Sequence, residues 1–145
     1  MASYVVDTSV MIQYFITQIH APVARVLVSQ INQGDLLYVP EFCLLECVNV
    51  MWKQVRFRGL PQTDAEQFIV DLLDLPLQVV RVNTLLPRAL LQIGLTHQLA
   101  VYDSLYIALS LNLNCPLITV DDRQLNAASD AGVVIKPITD FMPAS

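Results

Sequence analysis

The stretch Ser3–Ile16, SYVVDTSVMIQYFI, decides the fold class. It opens with an apolar run, Ser3–Val6, reaches an acid at Asp7, and continues into a second apolar segment that predicts a helix over Val10–Ile16. A short apolar run that ends at a polar residue is typical of a buried strand. The stretch therefore predicts a strand followed directly by a helix, which is the unit that α/β proteins repeat.

The rest of the chain repeats this alternation. Further buried strands are predicted at Leu36–Val39, Leu77–Val82, Pro116–Val120 and Val133–Ile135. Further helices are predicted at Pro22–Gln33, Glu41–Phe57, Asp64–Leu73, Thr84–Gln98, Asp103–Asn112 and Arg123–Ala131. Because the strands are unbroken apolar runs, they favour a parallel sheet that is covered on both faces. We expect a three-layer α/β/α sandwich with a central, mostly parallel sheet.

Length and composition limit the class of protein. Residues 1–145 predict a single domain, and apolar residues make up 54% of the chain, which excludes a disordered protein. A net charge of −5 argues against a protein that coats nucleic acid with a basic surface. The three cysteines are too few and too uneven for a disulfide framework, so a cytoplasmic location is expected. The uncharged stretch Thr8–Ala24 is interrupted by polar residues, and no membrane segment is expected.

Four acidic residues lie in otherwise apolar surroundings. Asp7 closes the first strand, Glu46 lies within an apolar helix, Asp103 opens a helix and Asp121 closes a late strand. An unpaired carboxylate in such surroundings costs several kcal/mol or shifts its pKa. The chain has only 8 Lys and Arg residues to pair with them. We therefore expect the four acids to converge on a metal cation.

The residues around these acids suggest a groove that acts on phosphate. Asn49 and Lys53 follow Glu46 at helical spacing and form one polar line with it. Ser9 and Thr119 flank Asp7 and Asp121 and are expected to hydrogen-bond to them. Ligands that are all oxygens favour Mg²⁺ or Mn²⁺ over zinc. Such ions support hydrolysis of phosphodiester bonds.

Several motifs occur in a fixed order: VVDTSVMI, PEFCLLECVNVMWK, VYDSLYIALS and LITVDDRQLNAA. In this order and spacing they resemble the PIN (PilT N-terminus) domain, especially its VapC-like toxin branch. The resemblance covers nearly the whole chain. Any one of the motifs is weak by itself, whereas the ordered set of four is specific.

The resemblance implies a metal-dependent endoribonuclease, with Mg²⁺ or Mn²⁺ as cofactor and RNA as substrate. The catalytic and metal-binding residues would be Asp7, Glu46, Asp103 and Asp121. Supporting residues would be Ser9, Asn49, Thr119 and Asp122, and Lys53, Arg56 and Arg123 would contact RNA phosphates. The resemblance also implies a small antitoxin as partner, a role as the toxin of a toxin–antitoxin pair, and a homodimer.

Some alternatives stay open. Asp122 lies beside Asp121, and Asp121 is favoured because it occupies the T-x-D position. A catalytically silent binding module and a phosphatase-type phosphohydrolase compete with the nuclease. The phosphatase type needs a second Asp at position 9, where this chain has Ser9. His20 and His97 are assigned no chemistry, and Tyr106 is interpreted as a packing residue.

Overall fold

A parallel sheet forms the centre of the protein, in a computed structural model that describes residues 1–16 and 19–142. Its four strands lie in the order β3-β2-β1-β4, and every pairing is parallel. In β1, Val5 lies opposite Tyr38 of β2 and Leu117 of β4. The strands are β1 (Ser3–Val6), β2 (Leu36–Pro40), β3 (Gln78–Val80) and β4 (Leu117–Ile118). Helices cover the sheet, which confirms the predicted α/β/α sandwich with a central parallel sheet.

The helices follow the predicted order. They are α1 (Thr8–Phe15), α2 (Ala21–Ser29), α3 (Phe42–Arg58), α4 (Gln62–Asp74), α5 (Leu86–Arg88), α6 (Leu95–His97), α7 (Val101–Leu113) and α8 (Asp122–Asp130). Short 3₁₀ turns occupy Gln30–Gln33 and Ile138–Asp140. Helix α3 ends at Gly59, whose φ of +76° places it in the left-handed region that glycine adopts without steric cost. The sequence therefore encodes both the helices and some of their ends.

The segment Thr84–Gln98, predicted as one helix, is interrupted. Between α5 and α6 the chain forms a π-helical turn, Ala89–Gly94. A Cβ at Gly94 would lie 2.8 Å from the Ala89 carbonyl oxygen and 3.2 Å from that of Leu99. The glycine thus allows the backbone to pack closely at this turn, an effect that apolar periodicity does not reveal.

The last two predicted strands are shorter than expected. Strand β4 covers two residues, and the predicted strand Val133–Ile135 is reduced to a single bridge between Leu117 and Ile135. The short β4 leaves residues 119–121 free of the sheet. They turn from the strand into α8, and this turn presents Thr119 and Asp121 at the carboxyl edge of the sheet.

The core is built around α7. Seven consecutive residues of this helix, Ser104–Ser110, are buried, and the helix packs on β1 and β2. Helix α3 turns its Cys43, Cys47 and Met51 inward. Cys43 and Cys47 are buried free thiols. A buried central helix next to the strand ends holds the nearby functional side chains on rigid elements.

Among the described residues, no helix is both long enough and apolar enough to cross a membrane.

Candidate active site

Asp7 is the most buried acid at the carboxyl edge of the sheet. Only 5% of its surface is exposed, and it caps α1 by accepting a hydrogen bond from the Val10 amide. Ser9 Oγ donates to its Oδ1 at 2.5 Å, and the Thr119 hydroxyl donates to its Oδ2. Burial nevertheless raises the pKa of Asp7 to about 6, against the opposing effect of these donors, and Asp121 adds a smaller upward contribution. The predicted hydrogen bonds of Ser9 and Thr119 to a strand-end acid are thus present at Asp7.

Glu46 is held by two hydroxyl groups. Tyr106 Oη lies 2.5 Å from Glu46 Oε1, and Thr8 Oγ1 lies 2.9 Å from the same oxygen. The two hydroxyls are themselves 2.6 Å apart. Both hydroxyls donate to Glu46 Oε1, and their hydrogen bonds favour its charged form and so lower its pKa. Burial has the larger, opposite effect and raises the pKa of Glu46.

Asp103 and Asp121 form the more exposed part of the site. Asp103 lies in the first turn of α7, and Asp121 caps α8 by accepting hydrogen bonds from the amides of Arg123 and Gln124. Buried Gln124 also donates its side-chain amide to the Asp103 carbonyl oxygen at 2.8 Å, which ties α8 to α7. Burial and Asp121 raise the pKa of Asp103, while Arg123 lowers it.

Electrostatic interactions connect all four acids. Asp121 raises the pKa of both Asp7 and Asp103, and Asp103 raises that of Glu46. Three pairs of these acids therefore repel each other: Asp7 and Asp121, Asp121 and Asp103, and Asp103 and Glu46. Within residues 1–16 and 19–142, however, no three Asp, Glu, His or Cys side chains are grouped so that they could hold a metal ion as they stand. The metal-ligand set of Asp7, Glu46, Asp103 and Asp121 therefore stays a prediction.

Across residues 1–16 and 19–142, no basic residue forms an ion pair with these acids. In the described part of the chain, the single ion pair joins Lys136 to Asp140. Neither oxygen of Asp103 accepts a hydrogen bond there, and Glu46 Oε2 and Asp121 Oδ2 are likewise without a donor. The site thus offers several carboxylate oxygens that can still accept a cation.

The remaining predicted residues lie further out. Asn49 and Lys53 are exposed on α3, beyond Glu46 on the same helix. Arg56 is also exposed, and its guanidinium lies 5.1 Å from the ring centre of Phe57. Asp122 is exposed in the first turn of α8. Of the predicted phosphate contacts, Arg123 is thus the cation that interacts with the acids.

The sequence reasoning missed three residues at this site. Thr8 and Tyr106 position Glu46, and Gln124 connects the helices that carry Asp103 and Asp121. Tyr106 was interpreted as a packing residue; its ring is buried, but its hydroxyl bonds to Glu46. In the motif VYDSLYIALS, Tyr106 follows Tyr102 by one helical turn and lies three residues after Asp103. This position beside an acid is the signal that could have identified Tyr106 as a site residue.

The family comparison matches residues 4–130 to the PIN domain. The chain therefore belongs to the PIN domain family, as its ordered motifs predict. PIN domains are generally nucleases, and membership supports a hydrolase that acts on nucleic acid. The comparison with functionally curated proteins gave no match.

Solved structures share this fold. PAE2754 from Pyrobaculum aerophilum is similar with a TM-score of 0.72 and 18% identity over 97% of this chain and 86% of that one. A structure of VapBC2 from Rickettsia felis bound to a promoter DNA fragment is similar with a TM-score of 0.69 and 10% identity. The match covers 93% of this chain and 98% of that one. FitAcB from Neisseria gonorrhoeae is similar with a TM-score of 0.66 and 19% identity, over 91% of this chain and 95% of that one. At these identities the likeness shows the fold.

Proposed function

We propose that this protein is a divalent-metal-dependent endoribonuclease whose acidic site comprises Asp7, Glu46, Asp103 and Asp121. The carrying observation is the set of mutually repelling carboxylates at the carboxyl edge of a parallel sheet, with no ion-pair partner among the described residues. Ligand sites in open α/β sheets lie at this edge. Family membership supports the same class of reaction.

The donor chemistry fits Mg²⁺ or Mn²⁺. Hard cations of this kind bind carboxylate oxygens, and they neutralise a cluster that otherwise repels itself. In this proposal Asp7, Glu46, Asp103 and Asp121 hold the metal. A bound divalent cation supplies Lewis-acid activation of water and neutralises the charge that develops on the phosphate.

The chain's own residues prepare the site. Ser9 and Thr119 fix both oxygens of Asp7, while Thr8 and Tyr106 fix Glu46. Held in this way, the carboxylates need little reorganisation before they act. Asp121 is favoured over Asp122 as the fourth acid, because Asp121 interacts with both Asp7 and Asp103.

The basic residues are assigned to the RNA backbone. Arg123 lies next to Asp103, where a guanidinium can contact a phosphate that approaches the metal. Lys53 and Arg56 extend along the exposed side of α3, and Asn49 lies between them and Glu46. Together they offer a path for a single strand toward the acids.

The test compares nucleic acids and metals directly. A mixed RNA pool and single-stranded DNA are incubated with the wild type, Asp103→Asn and Asp74→Asn, in Mg²⁺, Mn²⁺ or EDTA. Asp74→Asn removes the same charge from the exposed end of α4. We expect internal cleavage of RNA that needs metal, disappears in Asp103→Asn and persists in Asp74→Asn. Cleavage of DNA alone, or no cleavage with either metal, would contradict the proposal and favour a silent binding module.

We also propose that this protein is the toxin of a cytoplasmic toxin–antitoxin pair, so that a small antitoxin binds it and inhibits cleavage. Similar structures include VapBC2, VapBC-1 and FitAcB. On this chain, a groove of about 420 Å³ separates α3 from α4, and Trp52 and Ile69 contribute to its apolar lining. Trp52 is 56% exposed, and exposed apolar surface of this kind is typical of protein contacts. Co-expression with the protein encoded beside it should suppress RNA cleavage, and Trp52→Glu should restore cleavage.

A homodimer is the second assembly we assign. Exposed leucines project from the interrupted segment α5–α6, namely Leu86, Leu90, Leu91 and Leu95. Four such side chains within ten residues favour association with a second apolar surface. Sedimentation of the purified protein should give a dimer, and Leu91→Glu should shift it to a monomer. A monomeric wild type would contradict this assignment.

A further inference from the structure

A cavity of about 530 Å³ lies beside the acidic site, between the α6–α7 turn and α8. Its lining includes His97, Gln98 and Leu99 from the turn, and Arg123, Asn126 and Asp130 from the helix. This volume is in the range of cavities that bind small ligands, roughly 300 to 1,000 Å³. The function argued so far uses only one of these residues, Arg123.

One face of α8 forms the wall of the cavity. Arg123, Asn126, Ala127 and Asp130 are spaced by three, four and seven residues, which places them along a single stripe of the helix. Leu99 and Ala127 are buried and give the cavity an apolar floor. The remaining lining carries hydrogen-bonding groups, so the cavity is polar apart from these two side chains.

Arg123 connects the cavity to the acidic site. It lines the cavity and also interacts with Asp103, and Asp121 caps the helix that forms the cavity wall. The charge of the cavity is polarised along α8, with Arg123 at the end near the acids and Asp130 at the far end. A bound anion is therefore favoured at the Arg123 end and disfavoured at the Asp130 end.

We propose that this cavity holds the base of the nucleotide next to the scissile phosphate and so selects where RNA is cut. The inference rests on the proposed ribonuclease function, because the phosphate must reach the acids while its base enters the cavity. The charge polarity sets this orientation: phosphate at Arg123, base toward Asp130.

The lining has the groups that read an unstacked base. Single-stranded RNA is recognised by stacking on aromatic rings and by hydrogen bonds to base edges. His97 offers a ring, and the amides of Gln98 and Asn126 offer both donors and acceptors. The carboxylate of Asp130 offers acceptor oxygens for the donors of a base edge, which are the exocyclic amino groups of adenine, cytosine and guanine and the ring N–H of guanine and uracil. The cavity thus assigns a role to His97, which has none in the acidic site.

Binding to the cavity can be measured without cleavage. The imidazole proton signals of His97 and His20 are followed by NMR, with His97→Ala to assign them, during titration with AMP, CMP, GMP, UMP and ribose 5-phosphate in EDTA. We expect the His97 signals to move with the four nucleotides more than with ribose 5-phosphate, and the His20 signals to stay in place. Equal shifts with ribose 5-phosphate would reduce the cavity to an anion site, and absence of any shift would overturn the proposal.

Cleavage provides the second readout. Cut sites in a mixed RNA pool are sequenced for the wild type, Asn126→Ala and the control Asn32→Ala, whose position precedes β2 at the opposite edge of the sheet. We expect Asn126→Ala to weaken the nucleotide preference at one position beside the cut by about tenfold while cutting continues. An unchanged preference would overturn the base assignment. If the wild type cuts no RNA, the ribonuclease proposal fails, and the His97 titration still decides whether the cavity binds a base.

Discussion

The acidic site has two halves that differ in how their carboxylates are positioned and stabilised. In the buried half, Asp7 and Glu46 are surrounded by hydroxyl donors, and burial dominates their pKa values. In the more exposed half, Asp121 is held at a helix N-terminus, and Asp103, half-buried like Glu46, is next to the Arg123 guanidinium, which lowers its pKa against the effect of burial. The difference teaches that a buried acid can be positioned by neutral donors, which leave its charge available for a metal, whereas an exposed acid can tolerate a nearby cation.

The strongest test of this comparison replaces one acid from each half. Asp7→Asn and Asp103→Asn should each lower metal-dependent cleavage by more than about 100-fold, since loss of an outer partner alone typically costs 10- to 100-fold. Both should raise the melting temperature of the metal-free protein, because each removes a charge from a repelling cluster. The rise should be larger for Asp7→Asn, whose carboxylate is more buried. Destabilisation by both substitutions would show that the acids serve structure.

The pH dependence of stability sharpens the same contrast. The pKa of Asp7 is about 6 in the folded protein, above its usual value of 3.8, so the folded state holds this proton more tightly than the unfolded state. The corresponding stability is present below about pH 4 and is lost as the pH rises through 6, a change of about 3 kcal/mol. Denaturant titrations in EDTA should show that the free energy of unfolding of Asp7→Asn, relative to that of the wild type, increases by most of this amount between pH 4 and pH 7. A constant difference would contradict the buried, uncompensated carboxylate.

A smaller effect tests the hydroxyl donors of the buried half. Tyr106→Phe removes the hydroxyl that bonds to Glu46 and should lower metal affinity and cleavage by roughly 10- to 100-fold. Tyr102→Phe is the matched control, because Tyr102 is 60% exposed one turn earlier and stacks its ring on Phe42. Equal activity in the two variants would leave the hydroxyl without a role in the site.

The smallest effect concerns the exposed half. Asp121→Asn keeps a good capping residue for α8 and should therefore change stability little. It should lower cleavage roughly 10-fold, the least among the four acids, because Asp121 is the most exposed of them and asparagine keeps one oxygen that can bind the cation. Asp122→Asn should lose less activity, because Asp122 is outside the set of acids that interact with Asp7 and Asp103. Cleavage rates of the two variants are measured in parallel. A greater loss of activity in Asp122→Asn would show that Asp122, and not Asp121, is the fourth acid of the site.

Much of this architecture could be predicted from local sequence. Unbroken apolar runs such as Ser3–Val6 identify strands of a parallel sheet, and acids that follow them must lie at its carboxyl edge. Asp7 could therefore be located without a structure. The π-helical stretch after Thr84 could not, because it depends on close packing of Gly94 against the carbonyls of Ala89 and Leu99.

The hydroxyl donors escaped prediction for a different reason. Thr8 and Tyr106 are 38 and 60 residues away from Glu46 along the chain, and their hydroxyls meet only when α1, α3 and α7 pack together. A Tyr in an apolar helix is equally compatible with packing alone, and its ring does pack here. Sequence thus located the acids, while the groups that orient them depend on tertiary contacts.

The most direct test of the central claim is calorimetric titration of Mn²⁺ into the wild type and Asp7→Asn, with cleavage of the RNA pool followed under the same conditions. The account predicts saturable binding and cleavage in the wild type, both of which disappear in Asp7→Asn although that variant is folded and more stable without metal. Equal Mn²⁺ binding by the two proteins would contradict the claim, because the acidic site would then not be where the metal is held.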